Sequence, residues 1–260
     1  MERDLFRLTL LQYDLDWEDV TVNLRRWEER ILAWEGRSDL ILLPEMFTTG
    51  FTMDPAPHAE GPGGRVSRFL HRMARATGAA VAGSLIVREK ELYYNRLLFV
   101  TPEGEEHTYD KRHLFRMGGE HLHYAPGRER VTLRWRGVRI RPFICYDLRF
   151  PVWIRSRNEA DLLLFVANWP AARRGVWTTL LAARALENQT YVAGVNRTGT
   201  DGRGITYEGE SRIISPRGEV LARLGNEEGA VHAMLDMAAL QAFREKFPVH
   251  LDADDYRLIL

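Results

Sequence analysis

The stretch Asp161-Leu-Leu-Leu-Phe-Val166 repeats, in residue type and in setting, the stretch Asp39-Leu-Ile-Leu-Leu43. Each is an apolar run opened by an aspartate, of a length that suits a strand. Runs without polar alternation belong to strands covered on both faces, as in parallel sheets. Outward from these anchors the flanking segments recur in the same order. A strand precedes each: Leu8 to Tyr13 in the first half, Val138 to Ile144 in the second. In the first half an amphipathic helix follows from Asp19 to Trp34, with Val20, Leu24, Trp27, Ile31 and Trp34 at three- and four-residue steps. In the second half the matching helix is predicted over Pro151 to Glu159. After each Asp-Leu run comes another helix, marked by Val66, Phe69, Leu70, Met73 and Thr77, or spanning Gly175 to Glu187. Strands Ala79 to Val87 and Arg96 to Val100 follow in the first half. Their echoes are Tyr191-Val-Ala-Gly194 and the segment Ser211 to Glu219, which ends Pro-Arg-Gly-Glu where Asn95 to Glu105 ends Pro-Glu-Gly-Glu.

Helical connections between strands imply parallel pairing and right-handed crossovers. Two such halves in a chain of 260 residues predict an α/β architecture of two packed sheets with helices outside. No linker or low-complexity tract divides the halves, so residues 1–260 read as one domain. Lys and Arg number 36, as do Asp and Glu, so no net field gathers nucleic acid or anionic lipid. The longest apolar run, Leu162 to Ala167, is far below the roughly 18 residues of a membrane span. The charged start Met1-Glu2-Arg3-Asp4 has no apolar core of a signal peptide, and the expected location is cytoplasmic.

In parallel α/β sheets, ligands collect beyond the carboxyl ends of the strands. That position holds Glu45 after the first Asp-Leu run, Cys145 after Val138 to Ile144, and Asn168-Trp169 after the second run. Lys111 follows the hairpin closing the first half. A thiol is mostly protonated at neutral pH and needs a base or a cation beside it to act as a nucleophile. A buried glutamate can take the proton, and a fixed lysine can hold the oxyanion of a tetrahedral intermediate. The plainer readings stay open: Glu45 as a cap, Lys111 as a surface charge, Cys145 as core filling. As the one cysteine of the chain, Cys145 can form neither an intrachain disulfide nor a multi-thiolate metal site.

Leu43-Pro-Glu-Met-Phe47, Tyr109-Asp-Lys-Arg-His-Leu-Phe115 and Phe143-Ile-Cys-Tyr-Asp-Leu-Arg-Phe-Pro-Val-Trp153 resemble the three signature segments of the nitrilase (carbon–nitrogen hydrolase) superfamily. The likeness runs from about Leu8 to Asp254. Its narrower match is to the bacterial omega-amidase branch, carried by Lys111 to Met117, Glu120-His-Leu-His-Tyr124, Ala167-Asn-Trp-Pro170 and Arg244-Glu-Lys-Phe-Pro248. The resemblance implies a four-layer α-β-β-α sandwich and no cofactor. It assigns Glu45 as general base, Lys111 as oxyanion group, Cys145 as nucleophile and Glu120 as support for Lys111. The resemblance also has the backbone N–H of Tyr146 complete the oxyanion hole. It implies hydrolysis of 2-oxoglutaramate and related 2-oxo acid monoamides through a thioester, in a homodimer whose contact includes Phe247 to Leu260.

Such a substrate carries a carboxylate remote from its amide, a group that a guanidinium binds bidentately. Arg173, four residues beyond Trp169, is the first choice, with Arg149 and Arg174 as competitors. Phe115, Met117, Tyr124 and Trp169 are candidate walls, with core packing as their alternative. Another carbon–nitrogen hydrolase activity (aliphatic amidase, N-carbamoyl amide hydrolase or nitrilase) is the nearest rival, and a binding protein on this fold a more distant one. His113, His121 and His123 with Glu120 do not have helical metal-ligand spacing, so no metal is expected. The glycine-rich stretches Gly61 to Gly64 and Gly199 to Gly204 read as turns.

Overall fold

The computed structural model describes residues 5–259. The charged start at 1–4 and the last residue of the expected subunit contact, Leu260, lie outside the described residues. The first half runs β1 (Leu5–Gln12), α1 (Val20–Leu32), β2 (Leu40–Leu42), α2 (Arg65–Thr77), β3 (Ala80–Glu89), β4 (Leu92–Val100) and β5 (Glu106–Asp110). The second runs β6 (Leu133–Trp135), β7 (Val138–Ile144), α3 (Pro151–Ile154), β8 (Leu162–Ala167), α4 (Arg174–Asn188) and β9 (Tyr191–Asn196). It continues with a hairpin of β10 (Thr198–Thr200) and β11 (Thr206–Glu208), then β12 (Arg212–Ile214), β13 (Val220–Arg223), β14 (Gly229–Asp236) and α5 (Met237–Lys246).

Two sheets result, in the orders β14-β1-β2-β3-β4-β5 and β13-β12-β9-β8-β7-β6. In the first, β1, β2 and β3 are parallel, and β4 and β5 add antiparallel. In the second, β7, β8 and β9 are parallel, and β12 and β13 add antiparallel. An antiparallel edge strand flanks the first strand of each set, β14 beside β1 and β6 beside β7. The repeat foreseen in the sequence is thus a repeat of topology.

The two aspartates show why it persists. Asp39 accepts the backbone N–H of Arg7 at 2.7 Å and its guanidinium at 2.9 Å, while the Asp39 N–H donates to the Arg7 carbonyl. Asp161 accepts the backbone N–H of Arg139 at 3.0 Å and its guanidinium at 2.6 Å, and its own N–H donates to the Arg139 carbonyl. Each clasp sets the register of two parallel strands at their starts.

Burial follows the pleat. Leu40 and Leu42 pack between the sheets with Leu8, Leu10, Phe143 and Leu164. Ile41 and Leu43 face the other way, against Leu24, Trp27 and Ile31 of α1 and Phe69, Leu70 and Met73 of α2. Trp177, Leu181 and Ala185 of α4 join the inter-sheet core through the second sheet. No helix among the described residues is long and apolar enough to cross a membrane.

Two helices differ from the sequence reading. The helix predicted over Pro151 to Glu159 stops at Ile154. Beyond it, Ser156 N–H donates to Asn188, the Arg155 carbonyl accepts from Arg141, and Asn158 takes a left-handed φ of 65°. Tertiary partners capture the backbone groups that a longer helix needs. Helix α5 had no prediction. It starts on an Asp236 cap and returns Arg244 to Asp161, 2.8 Å away, and to the Ala160 carbonyl.

Burial opposes ionisation of Asp161, but its bonds to Arg139 and the charge of Arg244 outweigh this and hold its carboxyl below the usual range. Its stabilisation is therefore complete above the unfolded value near 3.9 and disappears as pH falls through the folded one. Breaking a buried pair of this kind costs about 3 kcal/mol. Urea denaturation of Asp161→Asn should show that loss at pH 7 and a flatter decline below about pH 4 than the parent chain.

Candidate active site

Glu45 leaves β2 behind Pro44, and the chain turns sharply at Met46, whose φ is 42°. The turn is fixed by Met46 N–H donating to Ser84 Oγ at 2.9 Å. It sends the Glu45 side chain between the two halves, with no access to solvent. Its Oε1 accepts from Lys111 Nζ and from Asn95 Nδ2, each at 2.8 Å. Its Oε2 accepts the backbone N–H of Asn168 at 2.8 Å, and Asn168 Nδ2 donates to the Glu45 carbonyl at 2.5 Å.

Lys111 follows β5 and is anchored by its N–H on the Asn95 carbonyl. Its ammonium lies 2.8 Å from Glu45 and 3.0 Å from Glu120, and none of the three side chains reaches solvent. Burial alone lowers a lysine's pKa; here the charges of Glu120 and Glu45 outweigh it, so Lys111 is raised and stays cationic. Glu120 opens a short turn, where its Oε2 accepts the Phe115 N–H at 2.5 Å. Burial pushes its carboxyl up; Lys111 opposes this and Glu45 adds to it.

Cys145 stands at the end of β7 with φ 46°, a conformation that a non-glycine residue adopts only under external constraint. Asp147 supplies that constraint. One carboxylate oxygen accepts Ile144 N–H at 3.1 Å and the Tyr109 hydroxyl at 2.7 Å; the other accepts His113 N–H at 2.9 Å and the His113 ring at 2.8 Å. The residue before Cys145 and the residues two either side of Lys111 therefore share one buried acceptor. Burial and then the Glu45 charge push the Cys145 thiol up, against the pull of Lys111. The resting thiol is protonated and has a carboxylate beside it.

A cavity of about 310 Å³ opens over Cys145 and Lys111. Phe51, Phe115, Tyr146, Trp169 and Tyr207 supply its aromatic lining, and Met117, 77% exposed, stands at its edge. Arg149, Arg173 and Arg203 also line it. Trp169 Nε1 donates to the Arg173 carbonyl at 2.9 Å, which folds the rim loop back so that Arg173 lies 5.2 Å over the Phe115 ring. Arg149 lies 5.5 Å over Trp169.

Two expectations are corrected. Tyr124 does not line this cavity; it packs with Met46 and Ile86 behind the Glu45 turn, and its hydroxyl donates to the Thr52 carbonyl. Arg174 starts α4 and pairs with Glu208 instead, at 3.0 Å. The histidines diverge: His113 is held by Asp147, while His121 and His123 line a separate depression with Leu92 and Leu122. Among the described residues no three His, Cys, Asp or Glu side chains group as metal ligands. The sequence reading missed Asn95, Phe51, Arg203 and Tyr207. Asn95 had a signal, since asparagine is depleted in strands and a buried amide is disfavoured unless it has partners.

The family model for carbon-nitrogen hydrolases matches residues 7–245. The chain is 49% identical to Omega-amidase YafV of Escherichia coli over 97% of its length and 98% of that protein's. It is 36% identical to the 2-oxoglutaramate amidase of Bacillus subtilis, over 94% and 96%. The crystal structure of XC1258 from Xanthomonas campestris, a CN-hydrolase superfamily protein with an arsenic adduct in its active site, superposes with a TM-score of 0.96 at 43% identity, covering 98% of this chain and 99% of that one. With two duplicated sheets meeting at a thiol, a lysine and two glutamates, and with these relatives, the chain belongs to the carbon-nitrogen hydrolase family.

Proposed function

We propose that this protein is an omega-amidase: it hydrolyses 2-oxoglutaramate, 2-oxosuccinamate and similar 2-oxo acid monoamides to the dicarboxylate and ammonia. The observation that carries this is a buried thiol beside a carboxylate-held lysine, beneath a cavity lined by arginines that pair with no carboxylate among the described residues. The two omega-amidase and 2-oxoglutaramate amidase relatives support the substrate class.

Cys145 Sγ attacks the amide carbon as Glu45 takes the thiol proton, forming the C–S bond and a tetrahedral oxyanion. Lys111 Nζ and the backbone N–H of Tyr146 hold that oxygen. Collapse breaks the C–N bond; Glu45 returns its proton to the nitrogen, and ammonia leaves a thioester. Water then attacks the thioester carbon as Glu45 accepts its proton; C–S cleavage releases the acid, and Glu45 passes that proton to Sγ, restoring thiol and carboxylate. Glu120 keeps Lys111 charged and aimed, a positioning role. Arg173 binds the remote carboxylate, with Arg149 beside it, while Phe115, Met117 and Trp169 bound the chain between. The protein works in the cytoplasm as a homodimer through a contact that includes residues 247–260; a monomer in light scattering at micromolar concentration would contradict the dimer.

Ammonia release should be rapid from 2-oxoglutaramate, weak from glutamine, and lost in Cys145→Ala. Lys111→Met should lower kcat by about 10²–10³-fold, the usual effect of deleting an oxyanion donor. Silence from parent protein that still alkylates quickly at Cys145 would keep the amidase chemistry and redirect the search to nitriles and N-carbamoyl amides. A silent and inert thiol would favour a binding protein.

Glu45→Gln separates base from bystander. Because the Glu45 charge raises the thiol, its removal should move the iodoacetamide alkylation profile of Cys145 to lower pH. Amide hydrolysis should fall at the same time, since more thiolate is of no use without a proton carrier for the leaving group. A variant in which both rates rise would exclude Glu45 as the base.

A further inference from the structure

The turn joining β10 to β11 is held far more tightly than a surface hairpin requires. Asp201 Oδ1 accepts the backbone N–H groups of Arg203 and Ile205, each at 2.9 Å, and Oδ2 accepts the Tyr207 hydroxyl at 2.8 Å. Arg197, fully buried, lies 4.8 Å from the Tyr207 ring centre. A Cβ at Gly202 would come within 2.3 Å of the Trp17 ring, and one at Gly199, where φ is +83°, within 2.1 Å of the Asp14 carboxylate. Both glycines are therefore dictated by close approach.

What this turn brings to the cavity is Ile205, Tyr207 and one charge, Arg203. No carboxylate among the described residues pairs with Arg203, and none lines the cavity. Nearby acids are otherwise engaged: Asp201 is taken up by the Arg203 and Ile205 N–H groups and the Tyr207 hydroxyl, Glu208 holds Arg174, and Glu45 and Glu120 hold Lys111. Arg173, on the other rim segment, is likewise without a carboxylate. Guanidinium groups presented over apolar walls, with no counter-ion of their own, form a receptor for a planar anion.

We propose that Arg203 is a specificity-determining residue that binds the remote carboxylate of the substrate together with Arg173, so that the cavity selects monoamides of dicarboxylic acids over uncharged amides. This rests on the amidase reading given above. Two forks supplied from separate segments bind a carboxylate at a defined distance from Cys145, which places the amide rather than the acid end over the thiol.

The test compares Arg203→Met and Arg203→Lys with the parent and with Arg174→Ala, which alters an arginine outside the cavity. Arg203→Met should raise KM for 2-oxoglutaramate about 10- to 100-fold, the usual loss for a hydrogen bond to a charged group, with a smaller change in kcat. Selectivity for 2-oxoglutaramate over propionamide should fall by a similar factor, and Arg203→Lys should recover part of it. Arg174→Ala should match the parent. Glutarate, a dicarboxylate without an amide, should protect Cys145 from iodoacetamide in the parent and much less in Arg203→Met. Unchanged KM, selectivity and protection in Arg203→Met would overturn the proposal and leave the amidase reading standing. If the parent hydrolyses no amide, the amidase reading fails, and glutarate protection alone decides the role of Arg203.

Discussion

A lysine ammonium cut off from water survives in a folded protein only where opposite charge is already in place. Lys111 meets this condition between Glu45 and Glu120, and much of the site follows from it. Glu45 must be carried in from the end of β2, Glu120 from the turn after β5, and Asn95 from β4 to share both carboxylates. The second half enters through Asn168, which binds the free oxygen of Glu45 and closes the cluster against Cys145. Two carboxylates around one ammonium leave a formal excess of negative charge. Burial first, and then the Glu45 part of that excess, keep the thiol neutral at rest with a proton acceptor next to it.

The strands that deliver these groups are held at their opposite ends. Asp39 and Asp161 lock the starts of β2 and β8 to β1 and β7, whereas the reactive side chains lie just past the strand ends. Structural charge pairs and chemical ones are thus separated by the full length of a parallel strand. Asp147 does the corresponding work near the site, where it ties the Lys111 segment to the Cys145 turn through four hydrogen bonds.

Glu45, Cys145 and Asn168 were legible because each terminates an apolar run, and a parallel sheet exposes functional groups at that point. The duplication was legible because apolar runs bounded by aspartate recur in order. Lys111 and Glu120 became specific only through family likeness, since neither lies on a periodic element. The direction of Tyr124 could not be read, because a short irregular turn gives no period from which to assign a face. Arg203 was hidden by the opposite problem: Gly199 to Gly204 has the composition of any turn, and only Trp17 and Asp14, distant in sequence, reveal why glycine is required there. The length of α3 depended on Asn188 and Arg141, contacts that no local pattern encodes.

The contact between Glu45 and Asn168 also bears on symmetry. These residues follow equivalent strands, β2 and β8, but at different steps: Glu45 lies six residues beyond Asp39 and Asn168 seven beyond Asp161, so the counterpart of Glu45 in the second half is Ala167. Two identical half-chains would have to repeat one residue type at positions 45 and 167. A glutamate at both would add a charge without a partner at the fully buried end of β8, and an alanine at both would leave Lys111 without part of its counter-charge. An acid in one half and an alanine in the other require the two positions to vary independently, which a single chain encoding both halves permits. Joining the halves in one chain thus lets them differ where the chemistry needs it.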